Sequence, residues 1–129
     1  MSYVVDASAL LAYLRRETGR DRVRAVLPTQ PIVTSVNLGE VAHRLTLMHW
    51  PRDEILSVLT DLPLTVVVVD RQLALEAGLA AAVAKPYGLS FADRVCLMLA
   101  KHLDLPALTS DQKWAEAADA LGVKVELIR

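Results

Sequence analysis

The chain has 129 residues, 53% of them hydrophobic and 22% charged, with a formal net charge of −1. That is enough apolar material for one domain with a core of its own, and it excludes a disordered chain. The small net charge excludes a global electrostatic footprint for nucleic acid, the apolar stretch around Leu62 to Val69 is too short to span a bilayer, and the single cysteine, Cys96, excludes an internal disulfide.

The N-terminus has no basic segment followed by a long apolar core, so no secretory signal is expected and a cytoplasmic protein is. Val4 to Asp6 reads as a first strand ending in a carboxylate. A helix pattern begins at Ala9 and ends near Glu17, with Thr18-Gly19 as stop signal. A second helix runs from about Arg20 to Leu27. Arg15, Arg16, Arg20, Arg22 and Arg24 crowd this region. They read either as the solvated face of two short helices or as a phosphate-contacting rim. Pro28 and Pro31 bracket a loop, and Ile32 to Ser35 forms strand two.

Asn37 is expected to open a helix running through Trp50. Pro51 breaks it and starts the next, Arg52 to Thr60. Asp61-Leu62-Pro63 is a turn. Thr65 to Val69 is a β-branched run without polar alternation, the pattern of a parallel strand covered on both faces. Gln72 to Ala84 is an Ala/Leu-rich helix, apolar around most of its circumference and so expected in the core or in a subunit contact. After the loop Lys85-Pro86-Tyr87-Gly88, an apolar helix runs from Ser90 to near Asp104, and Cys96 within it reads as core. Ala107 to Thr109 is strand four, Asp111 to Leu121 a helix stopped by Gly122, and Val123 to Ile128 the last strand. Strands alternating with helices along the whole chain imply a parallel sheet with helices on both faces.

Four acids fall where such a sheet gathers its functional groups: Asp6, Glu40, Asp93 and Asp111. Each also has a purely structural explanation. Asp6 and Asp111 sit at strand-to-helix turns, where a carboxylate caps a helix. Asn37-Leu38-Gly39-Glu40 and Ser90-Phe91-Ala92-Asp93 have the spacing of capping boxes. Together they say more. Asp6, Glu40 and Asp111 each follow a strand within a few residues and so share one edge, and Asp93 begins a helix returning towards it. At about 4 Å and an effective dielectric near 20, each like-charged pair costs roughly 4 kcal/mol. A divalent cation relieves that repulsion, and oxygen-only ligands suit Mg²⁺ or Mn²⁺. Such a centre activates water for an in-line phosphoryl displacement. Glu40-x-x-His43 is half of a di-iron pattern whose second half is missing, and the histidines show no catalytic arrangement. Gly-rich phosphate fingerprints and a two-His zinc motif are also missing.

The ordered motifs Val5-Asp6-Ala7-Ser8, Asn37-Leu38-Gly39-Glu40-Val41, Gly88-Leu89-Ser90-Phe91-Ala92-Asp93-Arg94-Val95-Cys96-Leu97 and Leu108-Thr109-Ser110-Asp111 resemble the PIN-domain family of the VapC toxin type. The resemblance runs from end to end of the chain, as one PIN domain over residues 1–129. It implies a three-layer α/β/α fold whose five-stranded parallel sheet is ordered 3-2-1-4-5. It also implies Mg²⁺- or Mn²⁺-dependent RNA cleavage leaving 5′-phosphate and 3′-hydroxyl ends, and a homodimer inhibited by a cognate antitoxin. By the same resemblance Asp6 and Asp93 are metal ligands, Glu40 and Asp111 complete the site, and Ser8 and Thr109 hydrogen-bond the ligands from behind. Arg94 and Lys113 flank the acids, as phosphate contacts or as solvated charges. Two other readings compete. One is a non-catalytic interaction module of the same fold. The other is a phosphoryl-receiver domain with Asp70 as phosphoacceptor and Thr109 and Lys124 as its partners, which leaves Glu40 and Asp93 without a task.

Overall fold

The computed structural model describes residues 2–129. Its strands are β1 (Val4–Val5), β2 (Ile32–Thr34), β3 (Thr65–Val67), β4 (Ala107–Thr109) and β5 (Val125–Leu127). The helices are α1 (Ala7–Leu14), α2 (Arg20–Val26), α3 (Ser35–Leu47), α4 (Arg52–Asp61), α5 (Arg71–Leu79), α6 (Ala81–Ala84), α7 (Phe91–Leu103) and α8 (Gln112–Leu121). All strand pairings are parallel and the sheet order is β3-β2-β1-β4-β5, the fold class and order expected.

Side-chain alternation on the central strands builds the two halves of the core. Val4 and Ala107 pack with residues of α5, α6, α7 and α8. Val5 and Leu108, next along the same strands, point the other way and pack with α1, α2, α3 and α4. All four are fully buried, each large one contributing roughly 1.5–3 kcal/mol. A three-layer sandwich follows, and the C-terminal ends of β1, β2 and β4 are left to carry α1, α3 and α8.

Several boundaries differ from the sequence reading. The run from Thr65 to Val69 is not a covered interior strand: β3 is an edge strand, with Val66 46% and Val68 74% exposed. β-branching reports fitness for a pleated surface, not position within the sheet. Helix α1 stops at Leu14 because Arg16 turns left-handed (φ 56), ahead of the Thr18-Gly19 signal. The Ala/Leu-rich helix divides around Ala80 into α5 and α6, burying Leu73, Ala77 and Ala84 and leaving Leu75, Leu79 and Val83 exposed. Nothing local marks that break. Among the described residues no helix is long and apolar enough to cross a membrane.

Candidate active site

Asp6 follows β1 directly and caps α1, its Oδ1 accepting from the Ala9 N–H at 2.9 Å. The carboxylate is buried and takes two further bonds from hydroxyls: Ser8 Oγ donates at 2.8–2.9 Å and Thr109 Oγ1 donates to Oδ2 at 2.7 Å. Those hydroxyls are acceptors in turn. Ser8 Oγ accepts from the Ser110 N–H at 3.0 Å, and Thr109 Oγ1 from the Asp111 N–H at 3.1 Å. The β4–α8 turn is thereby threaded onto the carboxylate that ends β1. Asp111 then caps α8, its Oδ1 accepting from the Lys113 N–H at 3.0 Å.

Burial pushes the Asp6 carboxyl up to about 6 from 3.8; the Thr109, Ala9 and Ser8 bonds oppose the rise and the Asp93 charge adds to it. Desolvation therefore outweighs three hydrogen bonds.

The expected capping box at Asn37–Glu40 does not form. Helix α3 starts earlier, with Thr34 as its cap: Thr34 Oγ1 accepts from the Asn37 N–H at 3.0 Å. Thr34, at the end of β2, is the nearer cap, which moves Asn37 into the first helical turn with its side chain buried. There Asn37 Oδ1 accepts from the Thr34 hydroxyl at 2.6 Å. Its Nδ2 donates to Glu40 Oε1 at 2.8 Å and to the Ala92 carbonyl at 3.2 Å. Asn37 thus holds Glu40 on α3 and, through Ala92, the start of α7 where Asp93 stands. The Asn37-x-x-Glu40 spacing predicts a cap; the structure makes Asn37 a link between Glu40 and α7 instead.

Ser90 and Asp93 form the capping box their spacing predicts: Ser90 Oγ accepts from the Asp93 N–H at 3.1 Å, and Asp93 Oδ2 from the Ser90 N–H at 2.9 Å. The fields of three acids converge one turn further into α7. The Cys96 thiol, buried against the Val5 carbonyl, is pushed well up, first by burial and then by the charges of Asp6, Asp93 and Glu40.

The four acids come from four elements to one edge of the sheet; Glu40, Asp93 and Asp111 rest on donors of their own segments, and Asp6 also accepts from Thr109 of β4. Among the described residues no three His, Cys, Asp or Glu side chains stand close enough to ligate one ion. The donor set nevertheless fits a hard cation. It is all oxygen, it converges electrostatically, and it contains one buried carboxylate whose charge is uncompensated.

Of the expected phosphate contacts, Arg94 has another task. Its Nε donates to the Ala77 carbonyl at 2.9 Å and its Nη1 to the Leu89 carbonyl at 3.0 Å. Lys113 is exposed at the start of α8, beside the loop that leads into α7. Three of the arginines between α1 and the end of α2 have acidic partners as well. Arg15 pairs with Glu17 at 2.7 Å, Arg24 with Asp21 at 3.3 Å, and Arg22 donates to Tyr3 and Glu126. His43 is exposed on α3. The receiver reading fails on placement. Asp70 caps α5 beyond the edge strand β3, its Oδ1 accepting from the Leu73 N–H, and Lys124 pairs with Asp104 ahead of β5, at the other end of the sheet from Thr109.

A PIN-domain family model matches residues 3–120. The chain belongs to the PIN-domain family. No curated protein matches it in sequence. Solved structures share the PIN fold at low identity. A chain of a toxin–antitoxin complex from Klebsiella pneumoniae superposes with a TM-score of 0.75 at 16% identity over 99% of this chain and 98% of that one. A chain of DNA-bound VapBC from Salmonella typhimurium gives 0.72 at 17%, over 100% and 99%. A chain of VapBC2 from Rickettsia felis, bound to a promoter DNA fragment, gives 0.71 at 12%, over 98% of each. In this PIN domain the ends of β1, β2 and β4 and the start of α7 thus carry the acid edge, assembled by hydrogen bonds that cross between elements.

Proposed function

We propose that this PIN domain is a Mg²⁺- or Mn²⁺-dependent endoribonuclease and the toxin of a toxin–antitoxin pair. The observation that carries the reading is the hydrogen-bonded link between the acid-bearing elements: Thr109 joins Asp6 to the Asp111 backbone, and Asn37 joins Glu40 to the Ala92 carbonyl beside Asp93. Asp6 and Asp93 would hold the cation, with Glu40 and Asp111 completing its shell. A bound divalent ion supplies Lewis acidity and a water of lowered pKa for phosphodiester hydrolysis. The chain's own part is preparation. Ser8 and Thr109 fix the Asp6 carboxylate in one orientation, Asn37 fixes Glu40, and the Ser90 box fixes the backbone that carries Asp93.

The partner assignments follow from the same reading. The fold is shared with chains of toxin–antitoxin complexes, which supports a cognate antitoxin. Exposed Leu75, Leu79 and Val83 on α5 and α6 support a protein contact there, including a second copy of the chain. RNA is the substrate the family resemblance implies, and the cytoplasm the compartment.

The test is cleavage of a mixed structured RNA pool by wild type and Asp93→Asn, each with Mn²⁺, Mg²⁺ or a chelator. Metal-dependent products from wild type alone support the reading. If no condition yields products and Mn²⁺ leaves the melting temperature unchanged, the non-catalytic interaction module takes its place.

A further inference from the structure

Phe91, the only phenylalanine in the chain, is the first residue of α7 and is 46% exposed. Arg94, three residues on and therefore on the same flank of the helix, lies over its ring with the guanidinium carbon 5.6 Å from the centroid. Arg94 is itself held by the Ala77 and Leu89 carbonyls. The ring is thus braced on one side by a planar cation that the backbone anchors. Little side-chain entropy remains to be lost when something covers the open side.

The position gives the platform its ligand. Asp93 is two residues further along α7, at a Cα separation of roughly 5–6 Å and turned about 200° around the axis. Ring and carboxylate therefore flank the two sides of one helix start. Lys113 of α8 lies beside the loop that leads into α7, its Cδ 4.0 Å from the point where a Cβ on Gly88 would stand. An exposed aromatic face and an acid at one helix start, with a lysine beside the preceding loop, suit a nucleotide strand that stacks one base and presents the neighbouring phosphodiester to the acids.

We infer that Phe91, braced by Arg94, is a stacking platform for one nucleobase of a single-stranded RNA, next to the phosphodiester held at the acid edge. The inference rests on the proposed nuclease reading. Every base has a π face, so the contact sets affinity and register without selecting a sequence.

The test uses the full chain in the Asp93→Asn background, so that bound RNA stays intact. The probes are a fluorescein-labelled random single-stranded RNA of about ten nucleotides and an abasic ribose-phosphate oligomer of equal length. Adding Phe91→Ala should weaken RNA binding about tenfold. Phe91→Trp should keep it, Phe91→Leu should not, and the abasic oligomer should bind all four proteins alike. Thermal melts confirm that each variant folds, as the exposure of the ring leads one to expect. Equal RNA affinity for Phe91→Ala overturns the inference. So does rescue by Phe91→Leu, which would show that apolar bulk and not a π face meets the RNA. Cleavage of the RNA pool by wild type separates the two levels. Cleavage without a Phe91 effect leaves the nuclease reading standing, whereas neither cleavage nor RNA binding in any variant removes both.

Discussion

Thr109 Oγ1 donates a 2.7 Å hydrogen bond to Asp6 Oδ2 across 103 positions of sequence. The same oxygen accepts from the Asp111 N–H. One hydroxyl therefore fixes the carboxylate at the end of β1 and the backbone of the acid after β4.

Replacing Thr109 by Val keeps the shape and removes the hydroxyl. The Asp6 carboxylate loses a donor and the Asp111 N–H loses its acceptor, so urea unfolding should show a loss of about 1–3 kcal/mol. Thr109→Ser should recover most of it. A Val variant as stable as wild type would mean that the hydroxyl is not the link described.

The raised Asp6 pKa has a defined sign in stability. The folded value, about 6, lies above the ordinary 3.8, so folding favours the protonated acid. Its contribution is fully present below the ordinary carboxylate range and is lost as pH rises through about 6. The difference between wild type and Asp6→Asn isolates the group. Without metal, wild type should lose roughly 3 kcal/mol relative to the variant between about pH 3.5 and pH 7. Chemical denaturation at several pH values measures this, and a difference that is flat or of opposite slope contradicts it.

Asp93 belongs to a capping box and to the acid edge, and the two roles separate in one experiment. Asparagine caps about as well as aspartate but carries no charge. Asp93→Asn should therefore raise the melting temperature of the metal-free protein and abolish its stabilisation by Mn²⁺. A neutral change with an undiminished Mn²⁺ response would show Asp93 to be a cap and nothing more.

Asn37 should matter more than a polar residue outside the acid set normally does. Asn37→Ala removes the bonds to Thr34, Glu40 and the Ala92 carbonyl, and about 2 kcal/mol of stability should go with them. It also releases Glu40 from α7, so the Mn²⁺-induced thermal shift should shrink as well. Lost stability with an unchanged Mn²⁺ response would confine Asn37 to a structural role.

The sequence by itself determined the alternation of strands and helices, the layering and the four acids at strand ends. These depend on local periodicity and on residues adjacent in the chain: Val5 to Asp6, Ser90 to Asp93, Thr109 to Asp111. The motif resemblance supplied the sheet order. Only the tertiary structure decided what depends on residues far apart. It left Val66 and Val68 exposed on the outer strand, moved the α3 cap from Asn37 to Thr34, and engaged Arg94 with backbone carbonyls beside Phe91. It also set the protonation of Asp6. Whether that carboxylate is solvated or buried, and whether Asp93 lies near enough to repel it, is fixed by packing across the sheet, and no local pattern in the chain records it.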